Sequence, residues 1–250
     1  MELKQKCCHF TNLEKTPTVA LVLPVFNPPT DWWMHSYQFC KHLAHTQPFY
    51  QWEFHFVNDG STASPVFPLP TGHYTEGGNL DIYFHSYAQN RGKGYAIRYG
   101  FQQVSDDIDI FMHCDWDFPF GTDLILSALK EIPKVDVVVA DRGSEYLKHL
   151  PPLRQKITQM QRLINRYIFR LKTTDTQAGF KAFNQHGKAV FLNTRINGFL
   201  FDTEFVRLSE RNQLSISSLS ASCRNNLQFK NFRFKVLVKE IVYFLILFFQ

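Results

Sequence analysis

The chain has 250 residues, of which 44% are hydrophobic and 20% charged. This excludes a disordered polyelectrolyte and suits one domain with a full core. Its net charge of +5 is uneven: residues 1–125 hold 7 Lys+Arg against 13 Asp+Glu, and residues 126–250 hold 20 against 9. An acidic half followed by a basic half points to two electrostatic tasks. Cysteines stand at 7, 8, 40, 114 and 223 with no Cys-x-x-Cys pair, so the pattern reads as a reduced, cytoplasmic compartment without a thiol zinc site. The opening MELKQKCCHFTN has no apolar signal-peptide stretch, and adjacent Cys7 and Cys8 suggest acylation by position alone.

Apolar runs bounded by turn residues alternate with helix-like stretches. Strands are predicted over 18–25, 52–57, 80–85, 108–114 and 135–140, and helices over 31–46, 92–104 and 122–131. The Pro-, Gly-, Ser- and Thr-rich stretch up to Asn79 reads as a long surface loop. Strands alternating with helices predict an α/β fold, a mostly parallel sheet with helices on both faces. Ligands then belong at the carboxyl ends of the strands, and the polar motifs follow the strands there.

The second half differs. LRQKITQMQRLINRYIFRLK, 153–172, has apolar residues at 153, 157, 160, 164, 168 and 171 and no acid. Arg162, Arg166 and Arg170 stand four apart, which predicts one basic row on a helix. Such a face suits a polyanion, either an anionic membrane surface or nucleic acid, although it also suits plain solvent. No segment reaches the roughly 18–20 apolar residues needed to span a bilayer. Ile241 to Phe249 comes nearest, and reads either as a last core helix or as a segment in the membrane interface.

Three motifs carry candidate chemistry. Asp115 and Asp117 end an apolar strand, and in Asp-x-Asp of an extended chain the two carboxylates share a side. They suit Mg²⁺ or Mn²⁺ completed by diphosphate oxygens, or else a loop with two solvated acids. Asp59, in FVNDGST, can accept hydrogen bonds from a base or ribose, and Gly60 permits an unusual turn; an Asx turn is the plainer reading. Asn90-Arg91-Gly92-Lys93-Gly94 opens a helix, where backbone N–H groups and a lysine suit an anion or simply cap the helix.

Taken in order, LPVFN, VNDGST, NRGKGYAIRYGF and DWD resemble the family 2 glycosyltransferases of GT-A fold, with a nucleotide-sugar-binding, Rossmann-like sheet. DTQAGFKAF (175–183) and FLFDTEF (199–205) resemble the polyprenyl-phosphate sugar synthases, the dolichyl-phosphate β-glucosyltransferase branch first and the mannosyl branch next. The resemblance implies that Pro24, Phe26, Asp59, Gly60, Asn90 and Lys93 serve the nucleotide sugar, while Asp115 and Asp117 hold the metal. Arg142, Gln177, Arg224 and Lys230 would meet the acceptor phosphate. Departures occur at Phe26, where Tyr is usual, at Pro28, where Glu is common, and at Pro119, which offers no side-chain ligand. The Gly and Ser between the late Arg…Lys pair are also missing, with Leu227 and Phe229 near those places.

The implied organisation is an N-terminal extension (1–17), a GT-A catalytic domain (18–222) and a basic, aromatic, membrane-interfacial segment (223–250). The implied reaction is inverting transfer of a hexose from a nucleoside-diphosphate sugar to a polyprenyl phosphate, by a peripheral enzyme at the cytoplasmic membrane face. A phosphate acceptor is already anionic and needs no base, whereas a glycan hydroxyl would need one, with Asp175 the candidate. Asp202 and Glu204 are either helix-start acids or site residues. The alternatives are transfer to a glycan hydroxyl in surface-polysaccharide synthesis and, outside enzymes, a basic nucleic-acid-binding module, against which no nucleic-acid motif is found.

Overall fold

A computed structural model describes residues 16–62, 72–222 and 234–249. β1 (Thr18–Val25) is buried along all eight residues and lies between β2 (Gln51–Asp59) and β5 (Ile110–Cys114), parallel to both. Its run TVALVLPV is the continuous apolar pattern that burial on two faces demands. β4 (Leu80–Tyr87) extends the parallel sheet beyond β2, and β3 (Gly72–Gly77) pairs antiparallel at the edge. Part of the stretch expected to be loop is therefore strand, paired with β4 through backbone groups that its polar side chains do not advertise.

On the other side of β5 come β7 (Phe180–Phe183), β6 (Val137–Asp141) and β8 (Ile216–Ser220), giving the order β3-β4-β2-β1-β5-β7-β6-β8. β7 is antiparallel to both of its neighbours, and β8 is parallel to β6. The chain leaves β1 in one direction through β2 and β4 and resumes on the other side with β5. The crevice at the carboxyl ends of β1 and β5 is the place where an open α/β sheet receives its ligand.

Each face has its own core. α1 (Trp32–Thr46) and α3 (Gly121–Glu131) cover one with Trp32, Leu43, Leu124 and Ile125 against Leu21, Phe54, Phe56 and Met112. α2 (Lys93–Gln103), α6 (Gln185–Leu192) and α7 (Phe201–Arg211) cover the other, where Phe101, Phe183, Phe191 and Phe205 interlock at centroid distances of 5.0–5.5 Å. Cutting one of these rings to Ala costs about 3–5 kcal/mol. α4 (Glu145–Lys148) leads into α5 (Pro152–Tyr167), and α8 (Phe234–Phe249) follows the sheet. α8 has 16 residues, about 24 Å at 1.5 Å per residue. Among the described residues no helix is long and apolar enough to cross a membrane.

Candidate active site

The carboxyl ends of β1 and β2 are tied together. Asn27, at φ 44°, accepts from the Thr62 backbone N–H (2.9 Å), and its own N–H donates to Ser61 Oγ (2.9 Å). Pro24 is buried near the end of β1, beyond the residues that pair with β5, so its missing N–H breaks no bond there. Phe26, just past the strand, is 46% exposed.

Asp59 is buried, and its carboxylate accepts from Tyr87 Oη (2.8 Å), Asn90 Nδ2 (2.9 Å), Arg91 N (2.7 Å) and Gly92 N (3.0 Å). Gly94 N donates to Asn197 O (2.9 Å). The anion seat expected where NRGKG opens α2 is thus filled from within the protein, because Asp59 and Asn197 take its N–H groups. Asn90 likewise faces Asp59. Gly60 has φ 62°, and a Cβ there would lie 2.4 Å from Asn90 N, so this turn requires glycine. Asp59, Gly60 and Asn90 together form the frame that presents Lys93.

Lys93 Nζ lies 2.5 Å from Asp115 Oδ1. Burial opposes its charge, but Asp115 and then Asp202 hold its pKa above the ordinary lysine value. A Cβ on Gly179 would stand 2.5 Å from Asp115 Oδ2, so the carboxylate sits between an ammonium and bare backbone. Trp116 turns toward α1, where it packs edge-on against Trp32 at 5.8 Å and its carbonyl accepts from Ser36 Oγ. The next bend is unusual: Phe118 has φ 47° and stacks on Phe39 at 3.7 Å. A non-glycine residue in this region costs about 1 kcal/mol or more, and here the bend follows directly on Asp117. Asp115 and Asp117 both line one cavity. No cluster of three or more His, Cys, Asp or Glu able to hold a metal occurs among the described residues. By the chemistry of their donors, two carboxylates opening on one cavity fit a hard divalent cation whose shell is completed by ligand oxygens.

Asp175 is 2% exposed. Arg142 donates to it from Nε (2.9 Å), Nη2 (2.5 Å) and its backbone N–H (2.8 Å), and Arg162 Nη2 lies 3.0 Å away. Burial acts to raise the Asp175 pKa, but the hydrogen bonds and charge of Arg142, then the charge of Arg162, outweigh it and hold the carboxyl below its usual range. A carboxylate so held is a poor base. It fixes Arg142, whose guanidinium also lies 4.2 Å from the Tyr146 ring centroid. Arg162 is thereby removed from the expected basic row. The row fails a second time at Arg170, which lies beyond the end of α5 with φ 55°.

α5 is oriented inside out. Its one fully buried residue is polar: Asn165 donates to Thr174 O (2.9 Å) and Thr176 Oγ1 (3.1 Å). Leu153, Met160, Leu163 and Tyr167 are 55–69% exposed. α8 is divided: Leu247 is in the core, while Val242, Leu245, Ile246 and Phe248 are 42–51% exposed. The C-terminal run is thus core on one side and open apolar surface on the other. Glu240 accepts from Phe199 N (3.0 Å) and Leu200 N (3.2 Å), docking α8 on the start of α7.

Between these helices lies a cavity of about 540 Å³. Ile157, Met160 and Ile164 of α5 and Phe244 of α8 give it apolar walls, while Lys93, Asp115, Asp117, Arg142, Arg154 and Gln177 supply polar groups. Of the residues expected in the site, the cavity gathers Lys93, Asp115, Asp117, Arg142 and Gln177. Pro24, Phe26, Asp59, Gly60 and Asn90 lie outside its lining, and Asp175 acts on it through Arg142. Arg224 and Lys230, like Cys7, Cys8 and Cys223, lie outside the described residues. Sequence reasoning missed Arg154 as a lining residue and the inward turn of Arg162.

No family model matches the chain. Over 197 residues it is 25% identical to the dolichyl-phosphate beta-glucosyltransferase of Saccharomyces cerevisiae, covering 69% of this chain and 57% of that protein. The chain therefore spans little more than half the length of this relative. In fold it is similar to mannosyl-3-phosphoglycerate synthase from Rubrobacter xylanophilus (TM-score 0.58, 17% identity, 92% of this chain and 74% of that one). It is similar also to glucosyl-3-phosphoglycerate synthase of Mycobacterium tuberculosis (TM-score 0.58, 14% identity, 90% and 80%). A crystal structure of the latter enzyme with Mn²⁺, uridine diphosphate and glucosyl-3-phosphoglycerate matches at TM-score 0.50 and 14% identity, over 84% and 73% of the two chains. The α/β GT-A-like fold and the resemblance to a dolichyl-phosphate glucosyltransferase, both expected from the motif order, are borne out.

Proposed function

We propose that the protein is an inverting, metal-dependent hexosyltransferase that moves a glucose- or mannose-type sugar from a nucleoside-diphosphate sugar to a polyprenyl phosphate. The observation that carries this reading is the cavity itself, whose lining combines carboxylates and cations with apolar residues of α5 and α8. A phosphate carried on a hydrocarbon chain needs both. Support comes from the yeast relative, named for a dolichyl-phosphate acceptor, and from the fold neighbour solved with Mn²⁺ and uridine diphosphate.

Asp115 and Asp117 would hold Mg²⁺ or Mn²⁺, which supplies charge neutralisation on the departing diphosphate. Lys93, fixed against Asp115, brings a cation to the same place. Arg142 and Arg154 draw the acceptor phosphate toward the donor, with Gln177 within the same lining, and offset the repulsion between two anions. The apolar walls limit water, which would otherwise hydrolyse the donor. A single displacement by the phosphate oxygen inverts the anomeric carbon. Asp175 serves as the orienter of Arg142 and Arg162, so the geometry favours a phosphate acceptor over a glycan hydroxyl, which would need a free base. The exposed apolar faces of α5 and α8, with exposed Lys156 and Arg166 on α5, suit peripheral binding to an anionic membrane surface. A nucleic-acid partner would not call for such apolar exposure. The cytoplasmic face is the matching side, since the cysteine pattern reads as reduced.

The test is to incubate the protein with polyprenyl phosphate, Mg²⁺ or Mn²⁺ and a panel of labelled nucleotide sugars. Label should enter the lipid phase with one donor and be lost on chelation. No lipid-linked label from any donor would reject the reading.

A further inference from the structure

Beneath the cavity lies a second charged cluster that the proposed transfer does not use directly. Lys181 stands in the middle of β7, is 0% exposed, and faces His113 of β5 across the antiparallel pair. Its ammonium donates to Thr176 O (2.6 Å) and Ala178 O (2.7 Å) and lies 2.7 Å from Asp202 Oδ1 in an ion pair. Asp202, in the first turn of α7, is 3% exposed yet borders the cavity, and His113 Nε2 is 3.6 Å from it. Burial disfavours the charge on each partner, so each depends on the other.

The acceptors of Lys181 belong to a functional loop. Thr176 and Ala178 alternate with Asp175, which orients Arg142 and Arg162, with Gln177, which lines the cavity, and with Gly179, against which Asp115 packs. Thr176 Oγ1 also lies 2.7 Å from Thr203 Oγ1, next to Asp202. One ammonium therefore joins β7, the loop and the start of α7. Asp202 and Lys93 both border the cavity. For stability alone two apolar residues of similar volume would serve as well or better.

We propose that Lys181 and Asp202 form a positioning pair: Lys181 fixes the 175–179 loop through Thr176 and Ala178, and Asp202 ties that ammonium to the start of α7 as its counter-charge. Lys181 lies outside the cavity lining and acts through the loop, while Asp202 borders the cavity as its counter-charge. The consequence for turnover rests on the transferase reading above, whereas the consequence for the loop does not.

The test uses Lys181→Met, Asp202→Asn and the double variant Lys181→Met/Asp202→Leu, each measured for Tm, for amide hydrogen exchange over 175–179 and for transfer kinetics. Lys181→Met leaves Asp202 stranded and should show the largest drop in Tm. The double variant removes both charges and should recover most of that drop. In that recovered protein, exchange over 175–179 should still rise about 10-fold, as local opening becomes easier. Its kcat should fall about 100-fold, with the donor KM changed much less, as expected for a misplaced site. Asp202→Asn leaves both loop carbonyls their donor, so exchange over 175–179 should rise less than in Lys181→Met. Wild-type exchange and kcat in the thermally recovered double variant would overturn the proposal, leaving the pair as core filling. If the wild-type protein transfers no sugar, the transferase reading fails by itself, and the exchange result still decides whether the pair positions the loop.

Discussion

Two nearly buried carboxylates, Asp59 and Asp175, hold the two sides of this site by different means. Asp59 takes a tyrosine hydroxyl, an asparagine amide and two backbone N–H groups. Asp175 takes two guanidiniums. The first arrangement shapes a loop with neutral donors and leaves one lysine projecting toward Asp115. The second keeps two cations in place, one of which, Arg142, lines the cavity. Under the proposed function, the first arrangement frames the donor side and the second is a charge clamp for the acceptor side.

The largest effect should come where the two sides meet. Asp115→Asn and Asp117→Asn should each cut metal-dependent turnover by about 100-fold or more, given that a metal's charge stabilisation is worth several kcal/mol. Unchanged initial rates in either variant would remove that residue from the metal site.

The next contrast is in stability. Asp175→Asn strands two guanidiniums and should cost about 3 kcal/mol, or some 6–12 °C in Tm for a chain of this size. Asp59→Asn disturbs only neutral donors and should cost about 1–2 kcal/mol. Equal losses in thermal melts would erase the distinction. The Asp175 pKa is depressed in the folded state. Its contribution is therefore complete above the unfolded value near 3.8 and is lost as pH falls through the lower folded value. Melting wild type and Asp175→Asn side by side from pH 6 downward should show the gap between them narrowing below about pH 4.

Gly60→Ala adds a Cβ 2.4 Å from Asn90 N at positive φ. It should cost about 1–3 kcal/mol and raise the donor KM, with no change in acceptor affinity. The smallest effect on folding is expected on α5. Leu163→Ser, at a 55% exposed position, should change stability by no more than about 0.5 kcal/mol, while weakening sedimentation with anionic lipid vesicles.

Much of this frame was legible from periodicity. β1 is read to the residue because burial on both faces leaves an uninterrupted apolar run. β7 was not, because Lys181 interrupts FKAF with a charge whose two carbonyl acceptors and carboxylate partner are invisible in sequence. β8, ISSLS, is too serine-rich to look like a strand, and β3 is a polar edge. The period of α5 correctly predicted an amphipathic helix, but a period cannot say which side faces the protein. Asn165, Gln161 and Arg162 face inward because the 174–176 backbone, Thr203 and Asp175 receive them. The Asp-x-Asp pair was legible as a motif, but not by strand geometry: β5 ends at Cys114, and a turn closed by Phe118 N–H on Asp115 O brings both aspartates to the cavity. The commitment of Asp59 to the NRGKG loop was not, because it depends on a contact 31 or more residues away.

The central claim is that the clamp around Asp175 serves a phosphate acceptor. It is tested most directly by offering the wild-type protein and Asp175→Asn, held below the variant's Tm, the same labelled donor with polyprenyl phosphate, with the corresponding polyprenol and with a saccharide. The account predicts label on polyprenyl phosphate alone, reduced but still measurable in Asp175→Asn. Label on a hydroxyl acceptor that disappears completely in Asp175→Asn, with none on the phosphate, would contradict it.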